Sequence, residues 1–220
     1  MDARERMVEE IQKRYNLDAP EVVSAMLQVP REKFIAKKYK DIAYSDRPVS
    51  IGYGQTMSQP YTVAFMTHLL VSGRVSVRGR KKNISKWRVL EVGTGSGYQA
   101  AVLSILAKEV YTIEIIPQLA EKAKKTLKKL GYKNVHVRQG SGEWGWPEKS
   151  PFDAILITAG LDKDVPQELF DQISGGGVLV APIGRGSDKV MTKFTKAKGD
   201  RLKKEKFGIF HFVPFVRKSN

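Results

Sequence analysis

Residues 87–104, WRVLEVGTGSGYQAAVLS, pass from an apolar run through a cluster of glycines into an apolar helix pattern. Trp87 to Val92 is broken only by Arg88 and Glu91, which is the composition of a strand covered on both faces. Glycine lets a backbone approach a ligand closely, and the start of the following helix offers N–H groups with no partner inside the helix. Strand, glycine loop and helix in that order read as the first half of a nucleotide-binding βαβ unit.

The downstream sequence extends the pattern. EVYTIEI (109–115), NVHVRQG (134–140), FDAILITAG (152–160) and GGGVLVAPIG (175–184) read as strands, with helices IPQLAEKAKKTLKKLG (116–131) and DVPQELFDQI (164–173) between them. This alternation predicts an α/β, doubly wound, mostly parallel sheet. From Val190 to Arg217 only strand-like runs follow, KVMTKFTK and FGIFHFVPFV, so antiparallel strands are expected to finish the sheet edge. Upstream, ARERMVEEIQKRY, APEVVSAMLQV and YTVAFMTHLLVSG carry helical periodicity. The chain divides into an N-terminal helical segment 1–72, a basic loop 73–86 and a core 87–220, which together make one compact domain. Before the third helix, IGYGQTMSQP (51–60) concentrates small residues, among which Thr56 and Ser58 are placed to cap the helix that follows.

Composition narrows the chemistry. The 220 residues include no Cys, which removes disulfides, thiolate metal sites and a cysteine nucleophile. No apolar run approaches the roughly 20 residues of a membrane span, and the charged N-terminus is unlike a signal peptide, so a cytoplasmic protein without membrane contact is expected. The Asn83 sequon is then a chance match. His68, His136 and His211 are scattered with no metal-ligand or triad spacing, and no metal is expected. The net charge of +15 invites a nucleic-acid reading. Its lysines and arginines, however, lie in runs that more often form solvated faces, and nucleic acid is not the expected partner.

The ligand of the glycine loop is open from spacing alone. Gly95, Gly97 and Ala100 fit the G-x-G-x-x-A register of dinucleotide sites, whereas Gly93, Gly95 and Tyr98 do not. Glu91, two residues before Gly93, would be unwelcome near a pyrophosphate but tolerable beside a cation. S-adenosyl-L-methionine is a nucleoside ligand with a sulfonium, an ammonium and no phosphate. Glu114 ends the next strand about twenty residues on, where a carboxylate can accept both ribose hydroxyls. Glu91, Gly93, Thr94, Gly95, Ser96, Gly97 and Glu114 are therefore the candidate cofactor residues.

With these motifs in view, the chain resembles the protein-L-isoaspartate (D-aspartate) O-methyltransferases over nearly its whole length. The resemblance rests on AMLQVPREKFI, IGYGQTMSQPYTVA, VLEVGTGSGYQAAVLS, VYTIEIIPQLAEKA, GWPEKSPFDAILITAG and GGGVLVAPIG. It implies a seven-stranded methyltransferase sheet and methyl transfer from S-adenosyl-L-methionine to the free α-carboxylate of an isoaspartyl residue. The resulting ester closes to a succinimide that hydrolyses partly to aspartate, so the partners would be damaged, isoaspartyl-containing proteins and peptides. The resemblance assigns Ser58 as the active-site serine, Thr56 to the substrate side, and Val213 and Pro214 to the peptide cleft. Where the family has Gly-Asp-Gly near the adenine, this chain reads Gly140-Ser141-Gly142, which adds Gly140 and Ser141 to the cofactor set but loses a carboxylate. An RNA methyltransferase using the same cofactor is the alternative. The chain lacks the Asn/Asp-Pro-Pro-aromatic motif of amino-methylating enzymes and the cysteine of cytosine-5 enzymes.

Overall fold

The computed structural model describes residues 1–72, 83–197 and 201–216. The cationic run Arg78–Lys82 of the expected basic loop lies outside them.

Nine strands are present among the described residues. Two form a small hairpin, β1 (Val49–Gly52) and β2 (Gln55–Met57), and seven form one sheet. The sheet comprises β3 (Arg88–Val92), β4 (Glu109–Glu114), β5 (Val135–Gln139), β6 (Phe152–Ile157), β7 (Ile173–Ile183), β8 (Asp188–Lys196) and β9 (Leu202–His211), in the order β5-β4-β3-β6-β7-β8-β9. Strands β3 to β7 run parallel, and β8 and β9 return antiparallel. The order reverses beside β3, so the crevice at the carboxyl ends of β3, β4 and β6 is the switch point at which open α/β sheets bind ligands.

Alternation along β3 distributes its side chains between two cores. Val89 joins the cluster that also contains residues of the helices α1 (Ala3–Tyr15), α2 (Pro20–Gln28), α3 (Pro60–Ser72) and α4 (Tyr98–Leu106). Leu90 and Val92 join the opposite cluster with Leu169 of the short α6 (Gln167–Asp171). The amphipathic α5 (Pro117–Lys129) buries Leu119, Ala120, Ala123 and Leu127 and leaves most of its lysines in water.

The N-terminal segment is tied to the sheet by aromatic packing. Tyr15 stacks on Tyr61 at 3.6 Å between ring centroids, Tyr61 on Phe65, and both Tyr61 and Phe65 on Phe210 of β9. The glycines of IGYG serve the β1–β2 hairpin, where Gly52, Tyr53 and Gly54 all have positive φ. The FGIFHFVPFV run is a strand only in its first half. After His211 the chain leaves β9, and Val213 and Phe215 exchange main-chain hydrogen bonds with Gly160 (Gly160 N to Val213 O 2.8 Å, Phe215 N to Gly160 O 2.9 Å). Pro214 has no N–H to continue a ladder, so this segment becomes a strap across the end of β6.

Glu91 departs from its expected environment. Two residues from Val89, it shares that face of β3, and its carboxyl is fully buried. Thr112 Oγ1 donates to its Oε2 at 2.5 Å, while Oε1 has no partner among the described residues. Burial pushes this carboxyl up to about 8, a shift the Thr112 hydrogen bond opposes and the nearby Glu114 adds to. It is therefore a protonated core group at neutral pH and not a standing negative charge facing a cationic ligand.

A linked pH effect follows. Between its ordinary value of 4.5 and about 8, the folded chain keeps a proton that the unfolded chain has released, so Glu91 lowers stability as pH rises through that window. Glu91→Gln should gain stability relative to wild type between about pH 5 and about pH 8.5, with an upper bound of about 1.4 kcal/mol per pH unit. Thermal melts of the two proteins across that range check it, and a constant difference would count against the buried protonated state.

Candidate active site

The loop from Gly93 to Gly97 joins β3 to α4 and is fixed on both sides. Gly93 and Thr94 donate their amides to Ile113 O at 2.8 and 3.2 Å, and Gly97 donates to Thr94 O at 2.8 Å. Thr158, just past β6, accounts for the glycine at 93. Its Oγ1 donates towards Gly93 O (2.7 Å) and Val92 O (3.0 Å), and a Cβ on Gly93 would sit 2.4 Å from that oxygen. Gly93 also has φ +102°, so glycine is required there twice over.

Glu114 closes the other side. Its carboxylate accepts from Gly95 N at 2.8 Å and from Ile116 N at 3.0 Å, which holds it in one orientation at the end of β4. It is buried, yet it borders a cavity of about 600 Å³ with Val92, Gly93, Gly95, Ile115, Ile116, Gly142 and the strap Val213–Val216. The described residues lining that cavity include no Lys or Arg and one carboxylate, which favours a ligand without phosphate.

Two further hollows adjoin it. One of about 340 Å³ lies between the glycine loop and the β2–α3 connection and is bordered by Ser58, Thr94, Ser96 and Tyr98. The other is a cleft of about 1160 Å³ with walls from Tyr15, Ser58, Gln59, Tyr61 and Phe210–Val213. Thr56 and Thr158 border all three spaces, and Ser58 borders these two. The hydroxyl-bearing side chains thus gather where the cavity beside Glu114 meets the cleft beside Tyr15.

Of the residues singled out from sequence, Thr56, Gly93, Gly95, Glu114, Val213 and Pro214 line the cavity beside Glu114. Ser58, Thr94 and Ser96 border the hollow beside it. Glu91, Gly97, Gly140 and Ser141 line none of the three. Gly97 instead meets α5, where a Cβ would come within 3.1 Å of Leu127 Cδ1. Gly140 donates its amide to Glu114 O at 2.9 Å, and Ser141 Oγ donates to Glu143 at 2.9 Å. It is Gly142 that reaches the cavity wall, with so little room that a Cβ would stand 2.2 Å from Val92 Cγ1. Thr158, Gly142, Ile115, Ile116 and Phe215 were not among the sequence candidates. The apolar pair directly after Glu114 was the one available signal, since it follows a carboxylate at a strand end.

Ser58 does not cap α3. The helix starts at Pro60, Val63 N donates to Gln59 O, and the amide of Tyr61 donates to Asp46 Oδ1 at 2.9 Å. Ser58 Oγ has no hydrogen-bond partner among the described residues, and the residue is half-buried. Asp46, brought in from the preceding loop, performs the capping that the sequence suggested for Ser58 or Thr56.

The histidines stand apart. His136 pairs with Glu109 (2.6 Å), His211 pairs with Asp188 (3.4 Å), and burial with nearby Lys193 lowers His68. Among the described residues no group of three or more His, Cys, Asp or Glu could hold a metal ion, and no helix is long and apolar enough to cross a membrane.

Comparison with known proteins agrees with this geometry. The family model for protein-L-isoaspartate(D-aspartate) O-methyltransferase (PCMT) matches residues 2–220. A protein-L-isoaspartate O-methyltransferase of Gloeobacter violaceus is 43% identical over 212 residues, covering 96% of this chain and 97% of the relative. A solved protein-L-isoaspartate O-methyltransferase superposes with a TM-score of 0.81 at 30% identity, covering 96% of this chain and 65% of that one. A Plasmodium falciparum structure assigned to the same enzyme, in complex with S-adenosyl-L-homocysteine, shares the fold with a TM-score of 0.82 at 24% identity over 99% of this chain and 100% of its own. The glycine loop, the carboxylate at the end of β4 and the segment around Ser58 all fall within the matched range, and the chain belongs to the protein-L-isoaspartate(D-aspartate) O-methyltransferase family.

Proposed function

We propose that this chain methylates the free α-carboxylate of L-isoaspartyl and D-aspartyl residues in damaged proteins, with S-adenosyl-L-methionine in the cavity beside Glu114 and the peptide in the cleft beside Tyr15. The observation that carries the reading is the shared border of those spaces, where Thr56, Thr158 and Ser58 cluster.

The residues of the cavity fit the cofactor. Glu114, already oriented by Gly95 and Ile116, can accept from the ribose hydroxyls through its remaining lone pairs. Ile115 and Ile116 offer an apolar wall for the base, and Gly142 leaves space beside them. When bound, the sulfonium supplies both the methyl group and its leaving group. The acceptor carboxylate has an ordinary pKa of about 3.9 and is ionised at neutral pH, so no general base is needed. What the protein contributes is alignment and exclusion of water. Ser58, with a free hydroxyl on the cleft side of the junction, orients the acceptor oxygen, and the strap through Val213 and Pro214 forms a wall common to both spaces.

The alternative of an RNA methyltransferase had its support in the charge and the cofactor loop. The family match includes the segment ahead of that loop, which a shared cofactor alone does not explain. The absence of cysteine and the family's reaction on aged proteins support a cytoplasmic role.

Two measurements test the site. Glu114→Ala should weaken S-adenosyl-L-homocysteine binding by about 1 to 3 kcal/mol, read by calorimetry, and unchanged affinity would remove the assignment. Since Asp46 caps α3, both Ser58→Gly and Ser58→Ala should melt close to wild type and retain S-adenosyl-L-homocysteine binding. Methylation of an isoaspartyl peptide should fall by roughly ten-fold or more, about 1.4 kcal/mol in the transition state. A stable, fully active Ser58→Gly enzyme would move the role to Thr56 or Thr158.

A further inference from the structure

Arg31 is the least exposed charged side chain near the site, and the chemistry described so far does not use it. It begins the 3₁₀ turn Arg31–Phe34 after α2 and has no solvent exposure. Its Nε donates to Ala43 O at 2.8 Å and its Nη2 donates to Ser58 O at 2.7 Å. The guanidinium carbon lies 4.8 Å from the ring centroid of Tyr98, the first residue of α4. Nη1 has no partner among the described residues. No carboxylate forms an ion pair with this guanidinium among them, although burying an unpaired cation is strongly unfavourable. Two carbonyl oxygens and Tyr98 hold it, and Asp46 and Tyr44 favour its charge from further away.

Its neighbours make the placement specific. Asp46, on the other side of the same segment, accepts from Tyr61 N, from Gln59 Nε2 at 2.9 Å and from Tyr15 OH at 2.7 Å. The main chain from Ser58 to Tyr61 is therefore gripped twice, at the Ser58 carbonyl and at the start of α3, while the Ser58 hydroxyl has no partner among the described residues. Tyr98 borders the hollow between Ser58 and the glycine loop, so the guanidinium contacts both the substrate-side segment and the helix that follows the cofactor loop.

We propose that Arg31 is a positioning residue for methyl transfer: by holding the Ser58 carbonyl against the start of α4 it sets the angle of the Ser58 hydroxyl. This rests on the reading of Ser58 as the group that orients the acceptor. Burial acts to lower the Arg31 pKa, but an arginine starts so high that it keeps its charge at neutral pH. Lysine cannot reproduce the arrangement, because a compact ammonium lacks the planar fork that reaches two carbonyls and stacks on a ring.

The test compares Arg31→Lys and Arg31→Gln in otherwise wild-type and in Ser58→Gly enzyme. In the wild-type background each variant should remain folded, bind S-adenosyl-L-homocysteine within about two-fold of wild type, and lose ten-fold or more in kcat/KM for an isoaspartyl peptide. In the Ser58→Gly background the Arg31 changes should cost much less in kcat, because their shared target is already gone. A folded Arg31→Lys enzyme with unchanged kcat/KM would overturn the proposal, as would failure of both variants to fold, which would make Arg31 a fold staple alone. Full activity in Ser58→Gly by itself would instead strike the reading of Ser58, and the two failures are thus distinguished.

Discussion

At the carboxyl ends of β3 and β6 two chains come too close for a side chain between them. Thr158 bonds to the carbonyls of Val92 and Gly93, and its hydroxyl occupies the place a Cβ at residue 93 would need. The strand above therefore has to turn away through glycine, which carries the loop over β4 and brings the Gly95 amide to Glu114. The cavity beside Glu114 exists because this turn departs from the sheet instead of continuing it. The helix α4 starts where the turn ends, and Arg31 and Phe34 from the N-terminal segment pack on its first residue, Tyr98. One steric conflict between parallel strands thus places both the cofactor loop and the wall behind the acceptor.

The strands β3, β6 and β7 were legible because each is a largely apolar run next to glycine or proline, a pattern that neither a solvated strand nor a surface helix produces, whereas β5, VHVRQ, alternates apolar and polar residues. The glycine loop and Glu114 were legible for a related reason: residues tied to backbone geometry announce themselves in sequence. Glu91 was misjudged because periodicity decides which face a strand residue takes, and a carboxylate one position from Val92 looks like a site residue until the face is known. Ser58 borders two of the spaces but does not cap α3, since a cap can come from anywhere in the chain and Asp46 reaches α3 through a turn. Thr158 and Gly142 could not be found by local reading. Their meaning lies in contacts with Gly93 and Val92, residues far away in the chain. The end of β9 was overextended because Phe212–Val216 keeps strand composition while Pro214 and the bonds to Gly160 take it elsewhere.

Two ionisable groups buried in the same core illustrate different responses to desolvation. Glu91 gives up its charge, because a carboxyl can take a proton at modest cost and one threonine hydroxyl is little compensation. Arg31 cannot discharge near neutral pH and is accommodated by carbonyl dipoles and an aromatic face. The first makes the sheet beneath the cofactor loop electrically quiet. The second keeps its charge behind the Ser58 carbonyl, within the influence of the Asp46 carboxylate.

The strap from Val213 to Phe215 meets the β6 end through two main-chain hydrogen bonds to one residue, Gly160, and it borders the cofactor cavity and the peptide cleft alike. A segment with so little pairing can detach while the sheet beneath stays intact, a local opening far cheaper than global unfolding. On the proposed placement of the two ligands, a peptide against Val213 would touch the same segment that lines the nucleoside's space.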